Sequence, residues 1–522
     1  MALGAASTMR RFENPGDLLG DRLKGLYRFL ADHGDRLFPG DYFADCYKDS
    51  RRGRPTIPAR VLATTMVLQA HEGLSDQEAV DRLERDLAWQ AAAGVDAGHE
   101  AFHPTTLVGQ RNRLRASARP KRFLEDTKVA AREAGVMRNR VRVLDSTPIY
   151  DAVSTQDTVT QLRSAIRKLL RALEGTALGF KVRMALSRHD DYAGPGKPPC
   201  DWDDAEAREE LVDALVRDAL AALAALDGAE LTGAALDAAE LLALVAGQDV
   251  EVGDDGVFRI ARRVARDRVI STVDPEARHG HKSRNRRFDG YKAHVSVDPD
   301  SELIDEVVVT PANRHDGDSD VVDDLVADHA EHEDKPTVMG DSAYAGPDTM
   351  AHLNNEGFDV IAKVPPATNR DGRYSKDDFT IDLEAGTVRC PAGQVVSIRF
   401  APDGSGRADF GDACARCPLR ERCTTSASGR SVTIHPREAL LQRAKAHQAT
   451  PEWRHAYRST RPKVERKIAH FVRVAWGGRR ARTRGVKRVG TDADTRAAAV
   501  NWARLATLGL TFTDGRWAAA TG

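Results

Sequence analysis

Val141-Arg142-Val143-Leu144-Asp145 is the stretch on which the reading of this chain turns. Apolar residues alternate with a β-branched bias, the pattern of a strand with one buried face, and the alternation ends on an acid. The ending recurs downstream, where Pro336 to Met339 forms a short apolar strand that leads into Asp341. Between the two acids the pattern predicts a hairpin. Asp289 to Val297 is one strand, Asp298-Pro299-Asp300 the turn, and Leu303 to Val309 the return. A helix over about Asp318 to Ala330 comes before the second acid. A helix over Asp348 to Glu356 and a strand over Phe358 to Val364 come after it. Much further along, a helix around Arg461–Arg473 carries Glu465.

This order is the layout that an RNase H-like nucleotidyltransferase needs: one acid on a central strand, one at the end of a neighbouring strand, one on a helix laid across the sheet. The expected class is α/β, an RNase H-like mixed sheet with flanking helices, over residues 136–369 and 436–510. In-line attack on a phosphodiester builds charge on the attacking and leaving oxygens, and two Mg²⁺ ions about 4 Å apart stabilise both. Mg²⁺ takes oxygen ligands, so three converging carboxylates make a minimal site. Asp151 and Asp157 compete with Asp145 for the first role, and Asp305 and Asp316 compete with Asp341 for the second. Asp145 is preferred because the alternation ends on it. Asp316 reads as a supporting group or as a helix cap ahead of Asp318.

Outward from this frame, residues 1–135 read as an N-terminal helical domain, with a DNA-binding role or, equally by periodicity, as a structural bundle. Apolar residues at helical spacing run from Ala59 to His71. Ser75 and Glu78 make a capping box, and Pro104 precedes a helix from Thr105 through Leu114. Residues 155–265 read as a helical insertion, with helical patterns from Thr158 to Ala185 and from Ala205 to Leu244. Residues 370–435 are rich in Gly, Asp, Arg and Cys and read as a small β-rich insert. The last part, Pro436 to Leu508, is helical.

The chain has 522 residues, 41% hydrophobic and 30% charged. Acids interrupt the Ala-Leu-rich stretch from Leu211 to Val245, so no run approaches the roughly 20 apolar residues of a membrane span. No apolar run follows Arg10 and Arg11, which argues against a secretory signal. The expected location is the cytoplasm, with no membrane partner.

A net charge of −1 conceals two basic segments. His455 to Gly490 holds 12 Lys and Arg against one acid, and Arg259 to Lys292 holds 11 against four. Clustered cations neutralise phosphates whatever the total charge. The candidate DNA contacts are Lys282, Arg286 and Lys292 beside the hairpin, Arg461, Lys463, Arg466 and Lys467 around Glu465, and Arg479, Arg480, Arg482 and Arg484 after it. Arg278, His279, Arg284 and Arg287 belong to the same run. Trp453, Tyr457 and Trp476 are candidates for stacking on a base, or core residues.

Six cysteines in a cytosolic chain do not make a disulfide framework. Four crowd one insert as Cys390-x23-Cys414-x2-Cys417-x5-Cys423, and a CxxC pair is a common way to supply two ligands to a structural Zn²⁺. The alternative is four reduced thiols in a loop-rich insert. His435 could stand in for one of them.

The longer words of the sequence resemble the DDE transposases of bacterial insertion sequences, nearest the family named for insertion sequence eleven eighty-two. They include RPTIPARVLATTMVLQAHEGLSDQEAVDRL (54–83), HPTTLVGQRNRL (103–114), VLDSTPIYDAVSTQDTV (143–159) and DPEARHGHKSRNRRFDGYKAHVSVD (274–298). VVVTPANRHDGD (307–318), VMGDSAYAG (338–346), RPKVERKIAHF (461–471), RARTRGVKRV (480–489) and NWARL (501–505) follow in family order. The resemblance implies a catalytic triad of Asp145, Asp341 and Glu465, with Arg461 four residues before the Glu. It also implies a Tyr three residues before that Arg, where Tyr457 is one position off, and a Lys seven after the Glu, where Val472 stands beside Arg473. Thr483 occupies a place where an aromatic is expected.

Three functions are compatible with these residues. One is an active transposase, binding the double-stranded DNA of transposon ends and target as a homo-oligomer. Another is a transposase-derived DNA-binding protein without catalysis. The last is a hydrolytic RNase H-like nuclease, whose chemistry would use the same acids.

Overall fold

The computed structural model describes residues 14–47, 56–188, 192–194, 197–263, 265–283, 285–368, 371–473 and 478–520. Arg284 and Trp476, singled out above, lie outside the described residues.

The strand that opens at Val141 does not stop at Asp145. β1 (Val141–Tyr150) continues through Ser-Thr-Pro-Ile-Tyr, because its neighbour β5 (Arg286–Asp298) holds it antiparallel from Val143↔Val297 to Tyr150↔Gly290. On the other edge, β7 (Thr337–Gly340) pairs in parallel from Val141↔Thr337 only as far as Val143↔Met339. β8 (Val360–Ala362) lies parallel beyond β7. The far edge of β5 is shared. β6 (Leu303–Pro311) pairs with Tyr291 to Asp298, completing the expected hairpin, and β4 (Arg278–Ser283) pairs with the first residues of β5.

One consequence governs the site. β7 ends opposite Val143 while β1 runs on, so from Leu144 onward no strand among the described residues lies beside that edge of β1. The chain returns only at Arg480, where Tyr150 N–H donates to the Arg479 carbonyl and Ala481 N–H to the Tyr150 carbonyl, both at 2.7 Å. A gap thus opens at the centre of a mixed sheet.

Side chains alternate across the sheet. Val143, Ile149, Tyr291, Ala293, Val295 and Val297 face a large core built with the N-terminal helices. Leu144 and Val338 face a second, smaller core under α12 (Ser319–Val326) and α13 (Pro347–Asn355). Seven described helices precede the sheet: α1 (Pro15–Leu19), α2 (Gly25–Leu37), α3 (Ala59–Glu72), α4 (Asp76–Arg85), α5 (Leu87–Ala93), α6 (Thr105–Arg115) and α7 (Arg122–Glu133). The capping box at Ser75 is present with both of its hydrogen bonds. These helices reach the sheet through α16 (Val486–Thr507), whose Ala497, Ala498, Ala499, Trp502 and Leu505 are fully buried between α2, α3, α7 and β6.

Asn501, inside the NWARL word, is the polar fastener of this packing. Its Oδ1 accepts from Ile304 N–H at 2.8 Å, and its Nδ2 donates to the Ile304 carbonyl at 2.8 Å and to Thr127 Oγ1 at 3.0 Å. Asn501→Leu strands the buried N–H and C=O of Ile304. The expected cost is about 2–4 kcal/mol, read as a lowered urea midpoint at unchanged m. An unchanged midpoint would mean that β6 repairs these bonds elsewhere.

The helical insertion has a core of its own. α8 (Thr158–Ala172), α9 (Ala177–Ala185), α10 (Ala205–Ala224) and α11 (Gly233–Gly247) bury Leu162, Ile166, Leu169, Leu215 and Leu242 together. The hairpin of β2 (Val250–Val252) and β3 (Phe258–Ile260) closes it. The patterns read as two long helices are each broken, at Gly175 (φ 75°) and at Gly228 (φ 72°), both in the left-handed region. No described helix is long and apolar enough to cross a membrane.

Residues 370–435 form two small sheets. β9 (Thr380–Asp382), β10 (Thr387–Arg389) and β11 (Val395–Ser397) make one. β12 (Arg399–Phe400), β13 (Gly406–Asp409) and β14 (Ser431–Ile434) make the other. Between them lie Phe379, Val388, Ile398, Phe410 and Val432. The C-terminal helical stretch is three helices rather than one run: α14 (Glu438–Gln448), α15 (Pro451–Phe471) and α16. β15 (Thr511–Thr513) and β16 (Arg516–Ala518) end the fold.

Candidate active site

α15 lies across the uncovered edge of β1. Arg461, Glu465, Ile468 and Ala469 are spaced to share one helical face, and that face lines a cleft of about 640 Å³. Asp145 and Asp341 line the same cleft. Asp145 belongs to the face of β1 that also carries Val143 and Thr147. Asp341 follows the last residue of β7. The three acids therefore come from a strand, a strand end and a helix.

The first acid is tightly held. Arg461 Nη2 donates to Asp145 Oδ2 at 2.7 Å, and Arg461 Nη1 donates to the Leu144 carbonyl at 3.3 Å, on the strand edge that β7 leaves free. The other oxygen, Asp145 Oδ1, accepts from Ser146 N–H at 2.7 Å. Burial pushes the Asp145 carboxyl above its ordinary pKa, and the Asp341 charge adds to this, against the opposing pull of Arg461 and the Ser146 amide. Asp341 Oδ1 accepts from Ala343 N–H at 2.8 Å. Beneath it lies Tyr344, fully buried, and a Cβ on Gly340 would meet Tyr344 Cβ at 2.6 Å. That close approach requires the glycine in the GDSAY word. Burial, with the charges of Asp316, Asp145 and Asp341, raises the Tyr344 hydroxyl well above its usual pKa.

A fourth carboxylate closes the cleft from the other face of β1. Asp316 Oδ2 accepts from Ser146 Oγ at 2.7 Å and Asp316 Oδ1 from Lys292 Nζ at 2.6 Å. Burial would raise Asp316, but the Lys292 and His294 charges and these hydrogen bonds hold it below its ordinary range. Asp305, the other competitor for the middle role, lies outside this cleft in a buried cluster with Arg142 and His329. Asp151, also outside it, is raised to about 6 by burial and by Asp289.

The candidate DNA contacts divide by position. Lys282, Lys292, Arg461 and Arg479 line the cleft. Arg286, Arg480 and Arg484 are exposed, and Lys463 is half-buried. Arg466 and Lys467 point away from Glu465. Arg466 pairs with Glu302, and Lys467 is buried, its pKa lowered to about 8 by that burial. Arg482 reaches back to the Leu74 carbonyl at 2.8 Å. Trp453 and Tyr457 stack on each other, ring centroids 4.7 Å apart. Ser146, His281, Phe288, His315 and Ser342 also line the cleft and were not singled out in the sequence. Their only signal was adjacency to the acids and to the HGHKS and NRHDG words.

Cys390, Cys414, Cys417 and Cys423 surround one void of about 20 Å³, room for a single water or ion. Burial, with the other three thiols, raises the Cys423 thiol. Among the described residues, no three His, Cys, Asp or Glu side chains are gathered closely enough to hold a metal ion, here or in the cleft.

Two family models match the chain. Residues 20–113 match the family described as Transposase domain (DUF772), and residues 389–506 match the Transposase DDE domain. The second span contains Glu465 and Arg461; Asp145 and Asp341 lie between the two spans. No curated protein and no solved structure matches. Transposase-family matches at 20–113 and 389–506, together with the three acids on one cleft between α15 and the sheet, support a DDE transposase of an insertion sequence.

Proposed function

We propose that the protein cuts DNA at the ends of its insertion sequence and joins them to a target, by metal-dependent transesterification in the cleft between β1 and α15. One observation carries this reading: Asp145, Asp341 and Glu465, from three separate elements, line a single cleft together with Lys282, Lys292, Arg461 and Arg479. The RNase H-like assignment is supported by the sheet order β6-β5-β1-β7-β8, antiparallel through its first three strands and parallel through its last two. A divalent metal, Mg²⁺ as two ions, fits the donor set, since all the candidate ligands are carboxylates and the Arg461 guanidinium already places positive charge on Asp145. When bound, Mg²⁺ supplies charge neutralisation to the attacking and leaving oxygens. The chain's own residues do the rest. The Ser146 amide orients Asp145, Arg461 neutralises it until a metal would bind, and Lys282, Lys292 and Arg479 hold phosphate against the acids.

Within the transposases, we propose the family named for insertion sequence eleven eighty-two, on the sequence words it resembles. The N-terminal helices and the exposed cations after α15 bind duplex DNA, and two or more copies assemble on it. A hydrolytic nuclease would use the same cleft with water as the only acceptor. The purified chain, Mg²⁺ and a linear DNA carrying the gene with its flanks separate the two. Transposition yields covalent joints between element ends and target; cut ends without joints would leave only the nuclease.

We further propose a structural Zn²⁺ on Cys390, Cys414, Cys417 and Cys423, four thiols around a void of single-ion size. Metal analysis should then return about one zinc per chain, lost together with the folded insert on chelation. Zinc-free protein with all four thiols titrating freely would refute it.

A further inference from the structure

The β4–β5 hairpin separates the catalytic cleft from a second groove of about 890 Å³. Residues opposed in an antiparallel ladder share a face. The pairs His279↔Asp289 and His281↔Arg287 therefore put these four side chains on one side of the hairpin, and Gly280↔Phe288 lies on the other. The groove follows the first face, the cleft takes Phe288, and both share His281, Lys292 and His315. The two spaces adjoin at these three side chains.

The groove is cationic. Asp289 is the one carboxylate among the described residues lining it, and Asp289 is already taken by His279 Nδ1 at 2.6 Å and Thr155 Oγ1 at 2.8 Å. Arg278 is paired with Asp267, Arg268 with Asp249, and Arg314 with Asp318. Arg266 and Arg287 are exposed and make no ion pair among the described residues. Two unpaired guanidiniums, with three imidazoles and the Asp316-paired Lys292 around the same groove, match the phosphates of a polyanion.

Resting on the functional reading above, we propose that this groove seats a single DNA strand as it leaves the catalytic cleft, with Arg266 and Arg287 on its phosphates. Shape selects one strand. A duplex is read by elements that enter its grooves, about 12 Å wide in the major groove, whereas here the protein is concave, walled by the hairpin on one side and residues 312–315 on the other. Among the described residues no Phe, Tyr or Trp lines the groove, so it follows the backbone without stacking on bases.

The test compares a short blunt duplex with the same duplex carrying a single-stranded oligothymidine tail, bound by the full chain and by Arg266→Ala/Arg287→Ala. The tail should strengthen wild-type binding, and the variant should lose that gain while binding the blunt duplex as before at an unchanged melting temperature. Two lost single-strand contacts lower the salt slope by about 1.4, roughly a sevenfold smaller loss of affinity between 50 and 200 mM salt. A tail that adds nothing to the wild type overturns the proposal. So does a variant weakened equally on both DNAs, which would make the groove a duplex seat. A wild type that binds neither DNA overturns the functional reading itself, a result distinguishable from the other two.

Discussion

Asp145→Asn, Asp341→Asn and Glu465→Gln are each expected to lower DNA cleavage and joining by at least about a thousandfold while leaving DNA binding and the melting temperature nearly unchanged. The substitutions keep shape and hydrogen-bonding capacity and remove one negative charge. If the three carboxylates together hold the charge-neutralising ions, losing one forfeits several kcal/mol of transition-state stabilisation, and about 4 kcal/mol is a factor of about a thousand in rate. Stability should respond little. Glu465 is exposed, and in Asp145→Asn the buried carboxylate whose pKa is raised by desolvation becomes neutral, which offsets the loss of its Arg461 pair. Single-turnover cleavage of a DNA carrying the element's ends, beside a filter-binding titration, measures both quantities. A variant that cuts within tenfold of the wild type would remove its residue from the triad.

The largest stability effect is expected far from the cleft. Arg142 on β1 and Asp305 on β6 are each 1% exposed and meet at 2.8 Å, and His329 Nε2 lies 2.6 Å from the same carboxylate oxygen. Burial alone would raise the Asp305 carboxyl, but the His329 hydrogen bond and the charges of Arg142, His329 and Lys128 outweigh it and hold Asp305 far below the usual carboxylate range. Asp305→Asn leaves Arg142 buried without a counter-charge, which costs about 3–5 kcal/mol. The sign of the pH dependence follows from the depressed folded pKa. The stabilisation is fully present above the unfolded pKa of about 3.9 and is lost as pH falls below it. Wild type and Asp305→Asn should therefore differ most at neutral pH and converge in acid. Urea melts that coincide at pH 7 would show the cluster to be energetically idle.

The placement of the three acids on elements could be read from the sequence, Asp145 and Asp341 after strand alternation and Glu465 within a helical run. Strand alternation led to Asp145 and Asp341, and helical spacing put Glu465 with Arg461. The end of β1 was not legible. Alternation stops at Asp145, but the ladder with β5 continues through Pro148 and Ile149, so tertiary pairing overrode the local pattern. β4 was missed for a related reason. Its residues, Arg-His-Gly-His-Lys-Ser, carry no apolar face, and only pairing with β5 makes them a strand. Charge counts located the basic segments but not their direction. Lys467 and Arg466 follow Glu465 directly, and the helical turn sends them to the opposite side of α15 from the acids. Nor did periodicity show that the N-terminal helices share a core with the sheet, since that core is made by α16 nearly 400 residues away.

Anomalous scattering from a crystal of the protein grown with Mn²⁺ in place of Mg²⁺ tests the central claim most directly. The account predicts metal density in the cleft within roughly 2.2 Å of carboxylate oxygens from Asp145, Asp341 and Glu465, close to the Mg²⁺–oxygen distance of about 2.0–2.1 Å, with Arg461 drawn off Asp145. A cleft that stays empty at saturating Mn²⁺, with Arg461 still on Asp145 and DNA bound in it, would contradict metal-dependent catalysis by these three acids.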